Sequence, residues 1–138
     1  MKRHHALIPL SHDHHHALVE AKRLRRSAQT PADPDAAATT FATFFAQVTI
    51  PHFREEEEVL FPLVADSDEA TPLVVQALLD HQRLHALVAR LQSPEEDLRA
   101  TMVELADLLE AHVRREERQL FPLIERLARN QLDQSSER

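Results

Sequence analysis

The chain has no glycine anywhere in its 138 residues. Two-residue hairpins, phosphate-cradling loops and dinucleotide-binding turns need a residue at positive φ or a close approach of bare backbone, and glycine normally supplies both. Those architectures are therefore disfavoured. Alanine, leucine, glutamate and arginine are abundant, and all four favour helix. The expectation is an all-α fold whose connections are marked by proline.

Helix start and stop signals divide the chain into four. The first helix is expected from Leu10 to about Ala28, with Ser11 as N-cap and "TPADPD" as the break after it. Asp35 then caps a second helix running to about Ala65. Thr71 followed by Pro72 marks a third, to about Leu91, with the threonine as cap and the proline at the first helical position. "SPEE" at 93–96 opens a fourth that continues to about Asn130, and "QLDQSSER" reads as a frayed polar tail. Such short links imply an antiparallel up-and-down four-helix bundle, a single domain over residues 1–138 with its core at about 10–130. Pro51, Pro62 and Pro122 fall inside expected helices, where each removes a backbone donor and predicts a local irregularity.

Two of the four helices carry nearly the same segment. "HFREEEEVLFPL" begins at His52 and "HVRREERQLFPL" at His112, sixty positions on, both of the form His-x-x-x-Glu-Glu-x-x-Leu-Phe-Pro-Leu. Helical periodicity places Phe41, Phe45, Val48, His52, Glu56, Val59 and Leu63 on one inward stripe. It places Leu98, Met102, Leu105, Leu109, His112, Glu116, Leu120 and Leu123 on another. The third helix lines up Val74, Ala77 or Leu78, His81, His85, Val88 and Leu91, and the first Leu10, His14, Leu18 and Ala21. Each stripe is apolar except in its middle, so the polar residues meet at one level of the bundle.

An ionised carboxylate in a dry core costs several kcal/mol or more unless it is paired. The stripes bring two glutamates and several histidines to that level, but no lysine or arginine. A metal ion supplies the missing positive charge and accepts both residue types as ligands. His14, His52, Glu56, His81, His85, His112 and Glu116 together exceed what one tetrahedral zinc uses. Two metals bridged by two carboxylates fit better, and an all N/O donor set with spare positions suits iron, with zinc or manganese as substitutes. On the first helix, aligning the repeated "HALV" would pair His16 with His85 and His12 with His81, whereas the apolar stripe selects His14, with His15 next. Glu57 and Glu117 point about 100° away from their neighbours and read as surface residues or as partners of ligands.

"HDHHHALVEAKRL" from His12, "HFREEEEVLFPL" from His52, "DHQRLHALVARL" from Asp80 and "HVRREERQLFPL" from His112 together resemble the hemerythrin-like, or HHE cation-binding, family over essentially the whole chain. The resemblance implies a non-haem di-iron centre between the helices. In that pattern His81, His85 and His112 hold one iron, His14 and His52 the other, and Glu56 and Glu116 bridge them. Oxygen-carrying members end with His-x4-Asp on the fourth helix, whereas His112-x3-Glu116 resembles the broader bacterial-type group. The pocket walls are expected from Phe41, Phe45, Phe61 and Phe121.

The rest of the composition narrows the partners. Sixteen basic against twenty-three acidic residues give a formal charge of −7, which disfavours nucleic acid. The absence of cysteine excludes disulfides, iron–sulfur clusters and thiolate zinc. With 43% hydrophobic and 28% charged residues the composition is that of a soluble globular chain, and no apolar run suggests a signal peptide or membrane span, so a cytoplasmic location is the default expectation. The leading functional expectation is a di-iron protein binding dioxygen or a related small ligand, peroxide or nitric oxide. A di-iron enzyme decomposing peroxide or reducing nitric oxide is the second, in which His15 or Glu117 would supply protons because the chain has no tyrosine or tryptophan. An iron-responsive interaction module is the third.

Overall fold

The computed structural model of the chain describes residues 2–93 and 97–136, so three of the four residues of "SPEE" lie outside the described residues. The architecture is the expected antiparallel up-and-down four-helix bundle, and no strand occurs among the described residues. The first rod is α1 (Ile8–Ala28), entered through a 3₁₀ turn at His5–Leu7. The second is a composite of α2 (Pro34–Phe44), a π-helical segment (Phe45–Thr49), α3 (Ile50–Glu55), a second π segment (Glu56–Leu60) and a 3₁₀ turn (Phe61–Val64). The third is α4 (Thr71–Leu91). The fourth joins α5 (Leu98–Arg115), a π segment (Glu116–Leu120) and α6 (Phe121–Leu127), and a short α7 (Arg129–Ser136) follows.

The three internal prolines account for the three π segments. Proline lacks an N–H, and its ring crowds the carbonyl four residues back. In each case the residue just before the proline donates across a wider turn, Ile50 to the Phe45 carbonyl, Phe61 to Glu56 and Phe121 to Glu116. This i→i+5 pattern makes room for the ring without ending the rod. It also shifts the helical phase, so Val59, expected inward, is exposed, while Leu60 and Phe61 take its place.

Helix ends depart from the expected caps in detail. Asp33 rather than Asp35 caps α2, its Oδ1 accepting the Asp35 N–H at 2.9 Å. Asp97 caps α5 by accepting the Ala100 N–H at 3.2 Å. Ser11 lies within α1, which starts earlier with Pro9 in its first turn, and the Thr71 hydroxyl bonds back to the Ser67 carbonyl. Without glycine, and with no residue at positive φ among the described residues, α1 does not close in a left-handed cap. Arg99 instead donates to the carbonyls of Ser27, Ala28, Thr30 and Ala32 at 2.6–3.3 Å, satisfying that helix end from a neighbouring rod. The expected frayed tail is largely the helix α7, ordered because Leu132 is buried against the bundle's end.

The apolar interior is two clusters rather than one. Leu24, Phe41, Phe45, Leu84, Leu87, Leu105 and Leu109 fill one end. Leu7, Leu60, Phe61, Leu120, Phe121, Ile124 and Leu132 fill the other. A polar layer lies between them.

Candidate metal centre

All four rods contribute to that layer. α1 brings His14, the second rod His52 and Glu56, α4 His81, and the fourth rod His112 and Glu116. All six are buried, at 5% exposure or less. They form two sets of four, His14, His52, Glu56 and Glu116 on one side and Glu56, His81, His112 and Glu116 on the other. The ligand atoms within each set lie within 4.8 Å of one another. Both glutamates belong to both sets, and each stands four residues after the histidine of its own rod, where one helical turn stacks side chains on one face.

The inner distances are short. His14 Nε2 lies 2.8 Å from Glu116 Oε1 and 3.9 Å from Glu56 Oε2. His52 Nε2 lies 3.2 Å from Glu56 Oε2, His81 Nε2 3.0 Å from Glu56 Oε1, and His112 Nε2 3.5 Å from Glu116 Oε1. Yet Nε2 of His52, His81 and His112, both carboxylate oxygens of Glu56 and Oε2 of Glu116 make no hydrogen bond although buried. Unsatisfied buried polar atoms are rare and costly. Six of them aimed at one centre match the N/O donor set that a metal site takes up.

Each inward histidine is held from behind by a carboxylate on its other ring nitrogen. His14 Nδ1 meets Glu117 Oε2 at 2.7 Å, His52 Nδ1 meets Asp13 Oδ2 at 3.0 Å, His81 Nδ1 meets Glu57 Oε2 at 2.6 Å, and His112 Nδ1 meets Asp80 Oδ2 at 3.0 Å. An Nδ1–H donating outward leaves Nε2 pointing inward as the ligand nitrogen, the arrangement common to metal-binding histidines. Glu57 and Glu117 thus serve as partners of the inner residues. Asp13 and Asp80 did not emerge from the periodicity. The signal for them is the dipeptide Asp-His, present at Asp13-His14 and again at Asp80-His81.

That dipeptide also corrects the internal alignment. A shift of 67 positions carries Asp13-His14 onto Asp80-His81, and a shift of 60 carries His52, Glu56 and Glu57 onto His112, Glu116 and Glu117. The carboxylate pairings obey the same symmetry. Asp13 backs His52 and Asp80 backs His112 within each helical hairpin, while Glu117 backs His14 and Glu57 backs His81 between hairpins. Neither His12 nor His16 takes part.

Electrostatically the layer is crowded with competing groups. Burial alone would lower the histidines, but the carboxylates outweigh it. His52 is pushed up to about 12 by Asp13, Glu116 and Glu56, and His14 and His81 are also raised, by Glu116 with Glu117 and by Glu56 with Glu57. Burial and the neighbouring Glu116 carboxylate push Glu56 up. Glu116 is held well below the usual range because His112, His14 and His52 overcome its burial. Without a metal these shifts favour protons on His14, His52, His81 and Glu56.

His85 is not brought into either set. It is exposed, its ring standing edge-on to Phe45 with centroids 5.2 Å apart. Successive steps of four residues drift around a helix by about 40° each, and from Ala77 through His81 to His85 that drift carries the last side chain out of the bundle. Leu84 and Leu87 occupy the inward stripe instead. The expected phenylalanine walls are also rearranged. A cavity of about 10 Å³, room for about one water-sized molecule, adjoins His14, His52 and His112. Ala17, Val48, Thr49, Phe53, Leu109 and Val113 line it. Phe121 stacks on His14 at 5.0 Å and Phe61 on His81 at 6.1 Å from the opposite side, while Phe41 lies deeper in the core.

A helical bundle with two interlocked His/Glu sets, each histidine backed by a carboxylate, defines a metal-binding bundle protein. More particularly, the chain belongs to the hemerythrin HHE cation-binding domain family, whose model matches residues 7–124. No curated protein and no solved structure matches the chain. No helix among the described residues is long and apolar enough to cross a membrane.

Proposed function

We propose that this chain is a non-haem di-iron protein that binds dioxygen, or the related ligands peroxide and nitric oxide, between its four helices. The observation that carries this reading is the pair of four-residue sets sharing Glu56 and Glu116. His14 and His52 would hold one iron, His81 and His112 the other, and the two glutamates would bridge and neutralise them. With His85 outside, the two irons have equal protein donor sets of two histidines and two carboxylates. Four protein donors leave positions free on ions that take up to six, so ferrous iron here supplies a redox-active Lewis acid open to a small ligand.

The chain's own residues set the terms of that binding. The four Nδ1–carboxylate pairs fix the imidazole tautomers and planes. The cavity beside His14, His52 and His112 has room for about one water-sized molecule, and its largely apolar wall limits water.

A second reading, turnover of peroxide or nitric oxide, draws on a different observation. Asp13 and Glu57 are each more than a third exposed and each bonds the Nδ1 of an inward histidine, so solvent protons can reach His52 and His81 through one hydrogen bond apiece. Consumption of peroxide over many cycles would favour the enzyme, and a spectrum that reverses when oxygen is removed would favour the carrier.

The experiment that tests the main reading is elemental analysis of tag-free protein reconstituted anaerobically with ferrous iron. About two irons per chain are expected. Retention of little or no iron would overturn the di-iron reading.

A further inference from the structure

The family match covers residues 7–124, and the segments on either side of it are tied together over one end of the bundle. His4 Nε2 meets Asp133 Oδ1 of α7 at 2.7 Å, the His4 backbone N–H donates to the Glu125 carboxylate, and Leu7 and Leu132 share one apolar cluster. From this junction the Arg3 side chain turns inward, toward the candidate metal centre.

Arg3 makes four contacts there. Its Nη1 donates to Glu125 Oε1 at 2.5 Å, its Nη2 to the Glu117 carbonyl at 2.9 Å and to Glu117 Oε1 at 3.3 Å, and its guanidinium lies over the Phe121 ring at 5.5 Å. The carbonyl contact has a specific cause. In the π segment Glu116–Leu120 the Phe121 N–H is taken by Glu116, and the next donor in that wider pattern would be Pro122, which has none. The Glu117 carbonyl thereby loses its helical partner, and Arg3 replaces it.

The same glutamate backs His14 through Nδ1 at 2.7 Å, with the Ser11 hydroxyl donating to its carboxylate at 2.9 Å. Phe121 stacks on the other aspect of His14, rings 28° apart. Arg3 therefore touches both groups that set the plane of the His14 ring. The symmetry-related half has nothing equivalent. The shift of 67 that carries His14 onto His81 carries Arg3 onto Ala70, and among the described residues no arginine or lysine pairs with Glu57, which is 42% exposed against 30% for Glu117.

We infer that Arg3 is a positioning residue for His14, acting through Glu117 and Phe121, so that a residue outside the matched family domain tunes the metal affinity of the His14/His52 set. This rests on the proposed two-metal centre and deepens it by giving the His14/His52 set a tether from outside the matched residues.

The test uses the full chain with Co²⁺ as the probe, titrated anaerobically against a competing chelator while the visible ligand-field bands are recorded. Wild type, Arg3→Gln, Glu117→Gln and the double variant are compared. Arg3→Gln is expected to weaken one of two cobalt ions by about 3- to 10-fold, below the roughly 10- to 100-fold typical of losing a ligand's direct partner, and to alter the bands of that ion only. In the Glu117→Gln background the further change should shrink to less than about 2-fold, because residues acting through one another are not additive. Should Arg3→Gln fail to fold, Arg3→Lys carries the same comparison, since lysine keeps the charge but cannot span Glu117 and Glu125 with a fork. A chain that binds two cobalt ions with unchanged affinity and spectrum in the Arg3 variants overturns the inference alone, as does an Arg3 effect that persists undiminished without Glu117. A wild-type chain that binds neither cobalt nor iron overturns the two-metal centre together with it.

Discussion

The two halves of the metal layer are built from the same parts but held with different firmness. In the second hairpin Asp80 is 1% exposed and receives hydrogen bonds from His112 at 3.0 Å, Arg115 at 2.7 Å and Gln76 at 2.9 Å. Its counterpart Asp13 has a side chain 35% exposed and holds His52 at 3.0 Å. Glu117 is gripped by Ser11 and Arg3, whereas Glu57 is 42% exposed and lacks such partners beyond His81 among the described residues. Both firmly held carboxylates back their histidines against the fourth rod, and both loosely held ones adjoin the second. Each candidate metal set contains one histidine of each kind, His14 with His52 and His112 with His81. The repeat thus supplies the ligands twice, while the surroundings make one side of each set rigid and the other yielding.

The sharpest way to break the comparison is to remove what the two sets share. Glu116→Ala takes a ligand from both, so metal content should fall from about two ions per chain to below about 0.5 by elemental analysis. A chain that lost only one ion would show that the sets are independent. The next largest effect should fall on the backing carboxylates, and unequally. Asp80→Asn leaves Arg115 and His112 facing a neutral buried amide and is expected to cost about 2–3 kcal/mol in urea unfolding. Asp13→Asn removes a contact whose carboxylate is only partly exposed but better screened by solvent than Asp80, and should cost less than Asp80→Asn. Equal losses would mean that the two backings are equivalent after all.

What the amino-acid pattern disclosed follows from how strongly each feature is bound to helical period. His14, His52, Glu56, His112 and Glu116 stand out because a polar residue interrupts an otherwise apolar stripe, and interruption of a stripe is a one-dimensional signal. Asp13 and Asp80 lie beside the stripe, where an acidic residue looks like ordinary solvated surface, and only the pairing of rods in space shows that each meets a histidine. The prolines announced irregularities. The phase shift of a π segment, which turns Val59 outward and Leu60 inward, depends on which carbonyl finds which donor and cannot be counted off with a fixed 3.6-residue period. The helix at Arg129–Ser136 was hidden for a related reason, since one buried leucine, Leu132, orders a segment that is otherwise polar.

Proton occupancy gives a smaller and more continuous test. His14, His52 and His81 have pKa values raised above 6.5 in the folded metal-free chain. Their contribution to stability is therefore complete below pH 6.5 and is lost as pH rises through the folded values, toward 12 for His52. The raised Glu56 acts in the same sense, since ionising it in the buried layer is unfavourable. Chelator-treated protein should accordingly lose thermal stability between pH 6.5 and 9, by roughly 4 °C or more, the equivalent of about 1 kcal/mol in a chain of this size. Iron-loaded protein should show the opposite trend in metal affinity, because ligands must shed their protons to bind. Scanning calorimetry of both forms across that range would show the gap between them widening with pH, and a gap that narrowed would contradict the protonated layer.

The smallest effect is expected at the one histidine that breaks the symmetry. His85 stands where the shift of 67 finds Leu18 in the first hairpin, and it packs edge-on against Phe45 and Phe53 rather than into the layer. Restoring the symmetry with His85→Leu should leave metal content at about two ions per chain and change stability by no more than about 0.5 kcal/mol, the usual range for a surface position. The competing outcome is specific. Were α4 to turn by the 40° or so that separates one four-residue step from the stripe, His85 would swing inward and become a third histidine on the His81/His112 set. The substitution would then release one metal and spare the other. A ratio of one iron per chain in His85→Leu protein would therefore show that α4 rotates when metal binds, and a ratio of two would show that both sets work with two histidines each.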